Sequence, residues 1–187
     1  MEKKTTELAT LGQRGLLKRD ATAEGLQYLT FSLAGEEYGI DILKVQEIRG
    51  WAPVTKVPNA PSFVRGVMNL RGAIVPVIDL RLRFGLETVE YTKTTVVIVA
   101  TVQSASGSRI IGTVVDGVSD VLNLNPADIQ PAPDFGTAVH TDFISGLVTV
   151  DAGMVMLLDV DRLLSVDEMF ALENVRPTES HIAAAAA

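Results

Sequence analysis

The chain has no cysteine, only two histidines, and aromatic residues make up just 5% of it. Without cysteine there is neither a disulfide framework nor a thiolate metal site, a composition that suits a reducing cytosol. With only two histidines, His140 in an inserted loop and His181 in the tail, neither a facial triad nor a zinc site can be assembled from close ligands. A basic excess is missing too. Sixteen Lys and Arg face 23 Asp and Glu, for a formal net charge of −7, and phosphate neutralisation is therefore a poor fit to this surface. The N-terminus MEKKTTELAT has no apolar signal core. No run approaches the roughly 18 uncharged apolar residues of a membrane helix, so a cytoplasmic protein is expected. The phosphate loop G-x-x-x-x-G-K-[ST], the dinucleotide fingerprint G-x-G-x-x-G after a strand and the G-x-S-x-G elbow are all absent. The expectation is a protein with no catalytic residues, no metal and no cofactor, acting on protein partners.

What is present is a β-branched core and a repeat. Hydrophobic residues make up 47% of the 187, mainly Val, Ile and Leu, which suit a pleated, half-buried surface. Sliding the chain by 80 places lays Phe63–Leu82, FVRGVMNLRGAIVPVIDLRL, on FISGLVTVDAGMVMLLDVDR from Phe143 to Arg162. Phe63 meets Phe143, Gly66 meets Gly146 and Asp79 meets Asp159. Upstream, at a shift of 73, YGIDILKVQEI from Tyr38 lies over IGTVVDGVSDV from Ile111, pairing Gly39 with Gly112, Val45 with Val118 and Glu47 with Asp120. An Ala-Pro-x-Phe follows in each half, and the second half carries eight additional residues, Phe135 to Asp142. Two copies of one small β unit organise the chain.

Each copy reads as five strands. Residues 1–25 have too few periodic apolar positions to bury a face and are expected to be mobile. Leu29, Phe31 and Leu33 alternate with Tyr28, Thr30 and Ser32, the mark of a strand, and Ala34-Gly35-Glu36 turns the chain into a second one. Ile42 to Ile48 fits either period, but the Gly and β-branched residues of its repeat partner favour a strand after a short turn. Val54 to Pro61 is connecting chain, and Ser62 to Arg65 is expected to form one helical turn ended by Gly66. A hairpin about Arg71-Gly72 follows, with Pro76 marking an edge or bulge. In the second copy a strand over Thr95–Val102 leads to a flexible loop at Gln103–Ser108. Ser165-x-x-Glu168 has the form of a capping box, predicting a C-terminal helix over about 166–174, with residues 175–187 a frayed tail. The repeats span about 26–90 and 94–164. Units of about 70 residues are marginal alone, so two small barrels sharing a core are predicted.

Candidate site residues are few. Asp79 and Asp159 end apolar strands before helix-like runs and are read as caps rather than an acid pair. Gly66 and Gly146 read as turn or C-cap residues. Arg71, at a hairpin tip, stands opposite Asp151 in the other copy. Val96 and Val97 are consecutive on one strand and face opposite ways. Phe135 is either a plug on the barrel or an exposed anchor for a partner.

Glu36–Gly50 (EEYGIDILKVQEIRG), Gly66–Arg81 (GVMNLRGAIVPVIDLR), Val114–Leu122 (VVDGVSDVL) and Pro131–Phe135 (PAPDF) together closely resemble the CheW family of chemotaxis coupling proteins, over about residues 26–172. The resemblance implies an all-β fold of two intertwined SH3-like five-stranded barrels and no enzyme activity. It implies binding to the cytoplasmic hairpin tip of chemoreceptors and to the regulatory domain of the histidine kinase CheA, at membrane receptor arrays. By position it gives Glu47 and Arg71, with Arg65, Val96 and Val97 beside them, as receptor-facing. Val45 and Gly66 fall on a kinase surface of the first barrel, and Gln130 and Phe135 on one of the second. A small-ligand-sensing barrel and an adaptor of a non-flagellar chemosensory pathway are the competing readings. The first needs a pocket with convergent polar groups.

Overall fold

The computed structural model describes residues 25–87, 90–104, 107–133, 142–151, 153–164 and 168. The first repeat supplies β1 (Leu26–Leu33), β2 (Glu36–Asp41), β3 (Val45–Gly50), β4 (Val64–Leu70) and β5 (Ala73–Asp79), followed by the single-turn helix α1 (Leu80–Arg83). The second supplies β6 (Val96–Ser104), β7 (Gly107–Val115), β8 (Gly117–Leu124), β9 (Ile144–Val150) and β10 (Gly153–Leu158). A 3-10 turn at Val160–Arg162 follows β10 where α1 follows β5.

The strands sort into two five-stranded sheets, but not one per repeat. One has the order β8-β1-β2-β10-β9 and the other β3-β6-β7-β5-β4. Each sheet thus takes strands one and two of one repeat and strands three to five of the other. The join is parallel: Val77 pairs Gly112 where β5 meets β7, and Leu157 pairs Gly39 where β10 meets β2. These two pairings are repeat equivalents. A side chain on either glycine would collide, since a Cβ at Gly39 would lie 2.9 Å from Leu157 Cδ2 and one at Gly112 would lie 2.8 Å from Val97 Cγ1. The intertwined arrangement implied by the family resemblance is therefore present, whereas two contiguous barrels placed side by side are not.

Three cores follow from this exchange. Leu70, Val75, Val77, Val97, Val99 and Val114 fill one sheet, and Leu124, Val148, Val155 and Leu157 fill the other. Between the sheets lies the largest cluster, with Phe31, Leu33, Ile40, Ile78, Leu80, Ile98 and Leu158. Alternate residues of β6 serve different cores, Val97 and Val99 on one side and Ile98, Ala100 and Val102 on the other. This is why TVVIVATV is apolar without a break. Phe31, Tyr38, Phe63, Phe84 and Phe143 gather at the shared core, where Phe84 stacks on Phe143 at 4.5 Å and Phe31 on Tyr38 at 5.8 Å.

The two aspartates do cap their runs. Asp79 accepts from the backbone N–H of Arg81 and Leu82, and Asp159 from that of Asp161. Both backbones are pinned the same way, Asp79 N donating to Phe63 O and Asp159 N to Phe143 O, each at 2.8 Å. Two local readings need correction. Ser62 to Arg65 is not a helical turn, because Val64 already begins β4 after a turn closed by Val64 N to Pro61 O. The Gln103–Ser108 segment is mostly ladder, with Gln103 paired to Ser108 and Ser104 to Gly107. Its Gln, Ser and Gly read as loop because an exposed hairpin end has no apolar face to show. Pro76 sits where expected, on the part of β5 that pairs only β4, since pairing with β7 starts at Val77. The segment 1–24 and the C-terminal helix and tail lie outside the described residues, apart from Glu168, whose carboxylate pairs Arg83 at 3.2 Å.

Across the interface, Arg81 Nε donates to Asp116 Oδ1 at 2.7 Å and its Nη2 pairs Oδ2, which also accepts from Ala34 N at 2.8 Å. The Arg81 side chain is only 12% exposed. Removing one member leaves the other partly buried and unpaired. Arg81→Met is expected to lower stability by about 3 kcal/mol, and Arg81→Met with Asp116→Leu by clearly less. Urea denaturation of the three proteins checks this, and equal losses for the single and double variants would contradict it.

Candidate functional site

Two of the receptor-facing positions expected from the sequence, Glu47 and Arg71, meet at the seam of one sheet. β3 and β4 are its two edges, and the sheet curls until the β4–β5 tip reaches β3. The tip is a tight two-residue turn with positive φ at Arg71 (50°) and Gly72 (91°), held by Asn69 Oδ1 accepting from Gly72 N. Arg71 Nη2 donates to Glu47 Oε2 at 2.7 Å, and Arg49 Nε lies 3.8 Å from Glu47 Oε1. Arg71 is 82% exposed and Glu47 22%, so the guanidinium projects into solvent while the carboxylate is half sheltered. Glu47 and Arg71 are thus brought into contact.

Across the ladder Glu47 pairs Val99 and Arg49 pairs Val97, and paired residues project from the same face of a sheet. The charges lie over the face of β6 that carries the buried valines. Val97 is fully buried, which corrects its reading as a contact residue: its side chain supports the surface from beneath. Val96 is half-buried against the core between the sheets. Arg65, on β4, stands apart from the Glu47–Arg71 pair and packs over the Tyr91 ring, 5.4 Å from its centroid. Tyr91 and Trp51 were not singled out from the sequence. Their rings meet at 4.3 Å and Tyr91 Oη donates to Asp79 Oδ2 at 2.5 Å. The signal available was rarity, since Trp51 is the only tryptophan and Tyr91 one of three tyrosines.

The kinase-side positions separate onto the two sheets. Val45 is half-buried against the shared core. Gly66 is not a C-cap: it sits at a bulge in β4 with φ +147°, and a Cβ there would lie 2.2 Å from Thr55 O. Thr55 and Val67 exchange backbone bonds of 2.9 and 2.8 Å beside it. The other unit repeats the device, with Gln130 and Leu147 exchanging bonds of 2.8 Å and Gln130 O 2.9 Å from a Cβ placed on Gly146. Gln130 itself is exposed. Gly66 and Gln130 therefore mark equivalent ends of the two units. Phe135 lies outside the described residues.

Among the described residues no cluster of His, Asp or Glu could hold a metal ion, and no helix is long and apolar enough to cross a membrane. A concavity of about 180 Å³ is lined by Tyr28, Asp41, Lys44, Ser145 and Asp159, below the roughly 300 Å³ of ordinary ligand pockets. Its charged groups are committed: Asp41 caps Leu43 N, Asp159 caps Asp161 N, and Lys44 pairs Asp161.

Two interlocked five-stranded units with a charged seam, and a shared core between them, define an all-β double-barrel module. The family model described as "CheW-like domain" matches residues 27–168. The chain belongs to the CheW family. "Chemotaxis protein CheW" of Klebsiella aerogenes is 50% identical over 151 residues, 81% of this chain and 89% of that protein. The protein of the same name from Rhizobium meliloti is 38% identical over 147 residues, 79% of this chain and 92% of its own. Among solved structures, "scaffolding protein TtCheW" from Thermoanaerobacter tengcongensis superposes with a TM-score of 0.69 at 33% identity, covering 77% of this chain and 95% of that one.

Two measurements probe this geometry. Gly66→Ala is expected to cost at least about 2 kcal/mol, from positive φ and collision with a backbone carbonyl together. Gly72→Ala, in open space, should cost only about 1 kcal/mol. Equal losses in urea melts would argue against the close approach at Thr55. Burial and the hydrogen bond to Asp79 raise the Tyr91 pKa above 10.0. The neutral phenol is favoured in the fold, so this contribution is complete below pH 10.0 and is lost as pH rises through the folded pKa. Stability measured from pH 9 upward should fall less steeply in Tyr91→Phe than in the parent, and identical slopes would contradict the assignment.

Proposed function

We propose that the protein is a non-enzymatic adaptor that couples the cytoplasmic hairpin tips of chemoreceptors to a CheA-type histidine kinase, in cytoplasmic signalling arrays at the membrane. The observation that carries this reading is the Glu47–Arg71 pair, standing where the family resemblance implies the receptor contact. Arg71 offers its guanidinium to solvent while remaining tethered to Glu47, so a partner meets a charge already held in place. The names of the relatives, chemotaxis and scaffolding proteins alike, favour the same role. The kinase surfaces are assigned to Val45 and Gly66 on one unit and Gln130 and Phe135 on the other. The matched bulges at Gly66 and Gly146 support such a pair of quasi-equivalent ends, which suits a linker between two neighbours. A metabolite-sensing barrel would need convergent free polar groups, whereas the charged groups of the concavity at Tyr28 and Lys44 are already engaged within the chain.

Co-sedimentation with vesicles displaying a receptor tip, with and without the kinase, tests the reading. Arg71→Asp or Glu47→Lys should weaken receptor capture more than tenfold, roughly 2 kcal/mol across an interface. An exposed pair contributes no more than about 1 kcal/mol to folding, so the melting temperature should barely move and kinase binding should survive. The exchanged pair Glu47→Arg with Arg71→Glu restores the internal contact but presents the wrong charges outward, so capture should stay lost. Recovery of capture in that double variant would make the pair a structural clasp and sink the proposed receptor site.

A further inference from the structure

Beside the seam, three side chains from separate segments converge on one ring. Trp51 leaves the end of β3, with its backbone N–H donating to Thr95 O at 3.0 Å. Arg65 comes from β4, and Tyr91 lies between them just ahead of β6. The Tyr91 ring is fixed from three directions: Trp51 packs on it at 4.3 Å, its hydroxyl is bonded to the capping carboxylate of Asp79 at 2.5 Å, and Arg65 covers it at 5.4 Å. The Arg65 Nε is buried without a hydrogen-bond partner, and no ion pair with the guanidinium is formed among the described residues. The cation is therefore held in place by an aromatic face rather than neutralised, with donors still unused. A planar guanidinium so held matches a carboxylate in bidentate fashion, whereas an ammonium would not.

We propose that Tyr91 is a positioning residue of the receptor-facing surface, holding the Arg65 guanidinium flat so that it takes a carboxylate of the receptor tip. The inference rests on the receptor reading given above and adds to it a residue, a geometry and a ligand chemistry.

Capture of a purified receptor-tip fragment is measured for Tyr91→Leu, Tyr91→Phe, Arg65→Ala and Arg65→Lys, with Arg71→Asp alongside. Trp51, the only tryptophan, reports on the ring contact through its emission in the free protein and during titration. Tyr91→Leu and Arg65→Ala should each weaken capture about tenfold. Tyr91→Phe keeps the ring and should stay within about twofold of the parent with unchanged emission, although it loses the bond to Asp79. Arg65→Lys keeps the charge but not the plane, and should resemble Arg65→Ala. Changing the tip's acidic residues to their amides one at a time should find one whose loss has no further effect in Arg65→Ala. Full capture in Arg65→Lys, or Tyr91→Phe falling as far as Tyr91→Leu, overturns the inference. So does a loss that follows the melting temperature across the series. Where Arg71→Asp abolishes capture but Tyr91→Leu does not, this inference fails and the receptor reading stands. Normal capture by Arg71→Asp removes both.

Discussion

The parallel join between strands of different repeats is the constraint on which the rest depends. Val77 against Gly112 and Leu157 against Gly39 tie the fifth strand of each repeat to the second strand of the other. Both contacts need glycine, because a Cβ would meet Val97 or Leu157 inside normal contact distance. Once the exchange is made, neither sheet exists without both repeats, and the large cluster between the sheets becomes common property. A 70-residue β unit buries too little surface to stand alone, and the exchange resolves that by making one core serve two units. Arg81 and Asp116, drawn from different repeats, lock the same junction.

Near-symmetry of the backbone makes the asymmetry of the side chains meaningful. Where the first repeat has Glu47 and Arg71 in contact, the second has Asp120 and Asp151, both exposed. A carboxylate and guanidinium at the meeting edges of one sheet correspond to two carboxylates in the other. The same scaffold thus presents a mixed-charge surface on one unit and an acidic one on its counterpart. Units that differ in charge can select different surfaces, where identical units would compete for one.

Much of this was legible in the residues. The shift of 80 places located both terminal hairpins, the period-2 pattern placed β1, and the aspartates read correctly as caps because each precedes a run with free backbone N–H groups. The strand exchange was not legible from periodicity, which says which face of a strand is buried but not which neighbour it pairs. Gly66 imitated a C-cap because a bulge and a helix end ask for the same permissive residue. Val97 stands in the receptor-facing set through the family resemblance alone, and a strand buried on both faces has no polar alternation to tell which of Val96 and Val97 points inward. Tyr91 escaped notice since its importance lies in three contacts from separate segments, none of them near in sequence.

The receptor surface is tested most directly by mapping backbone amide shifts as the labelled protein is titrated with an isolated receptor-tip fragment. A stripe of amides through Glu47, Arg49, Trp51, Arg65 and Arg71 should shift, with Gln130 and its neighbours unmoved. Perturbations confined to Asp120, Gln130 and Asp151 on the other unit would contradict that surface.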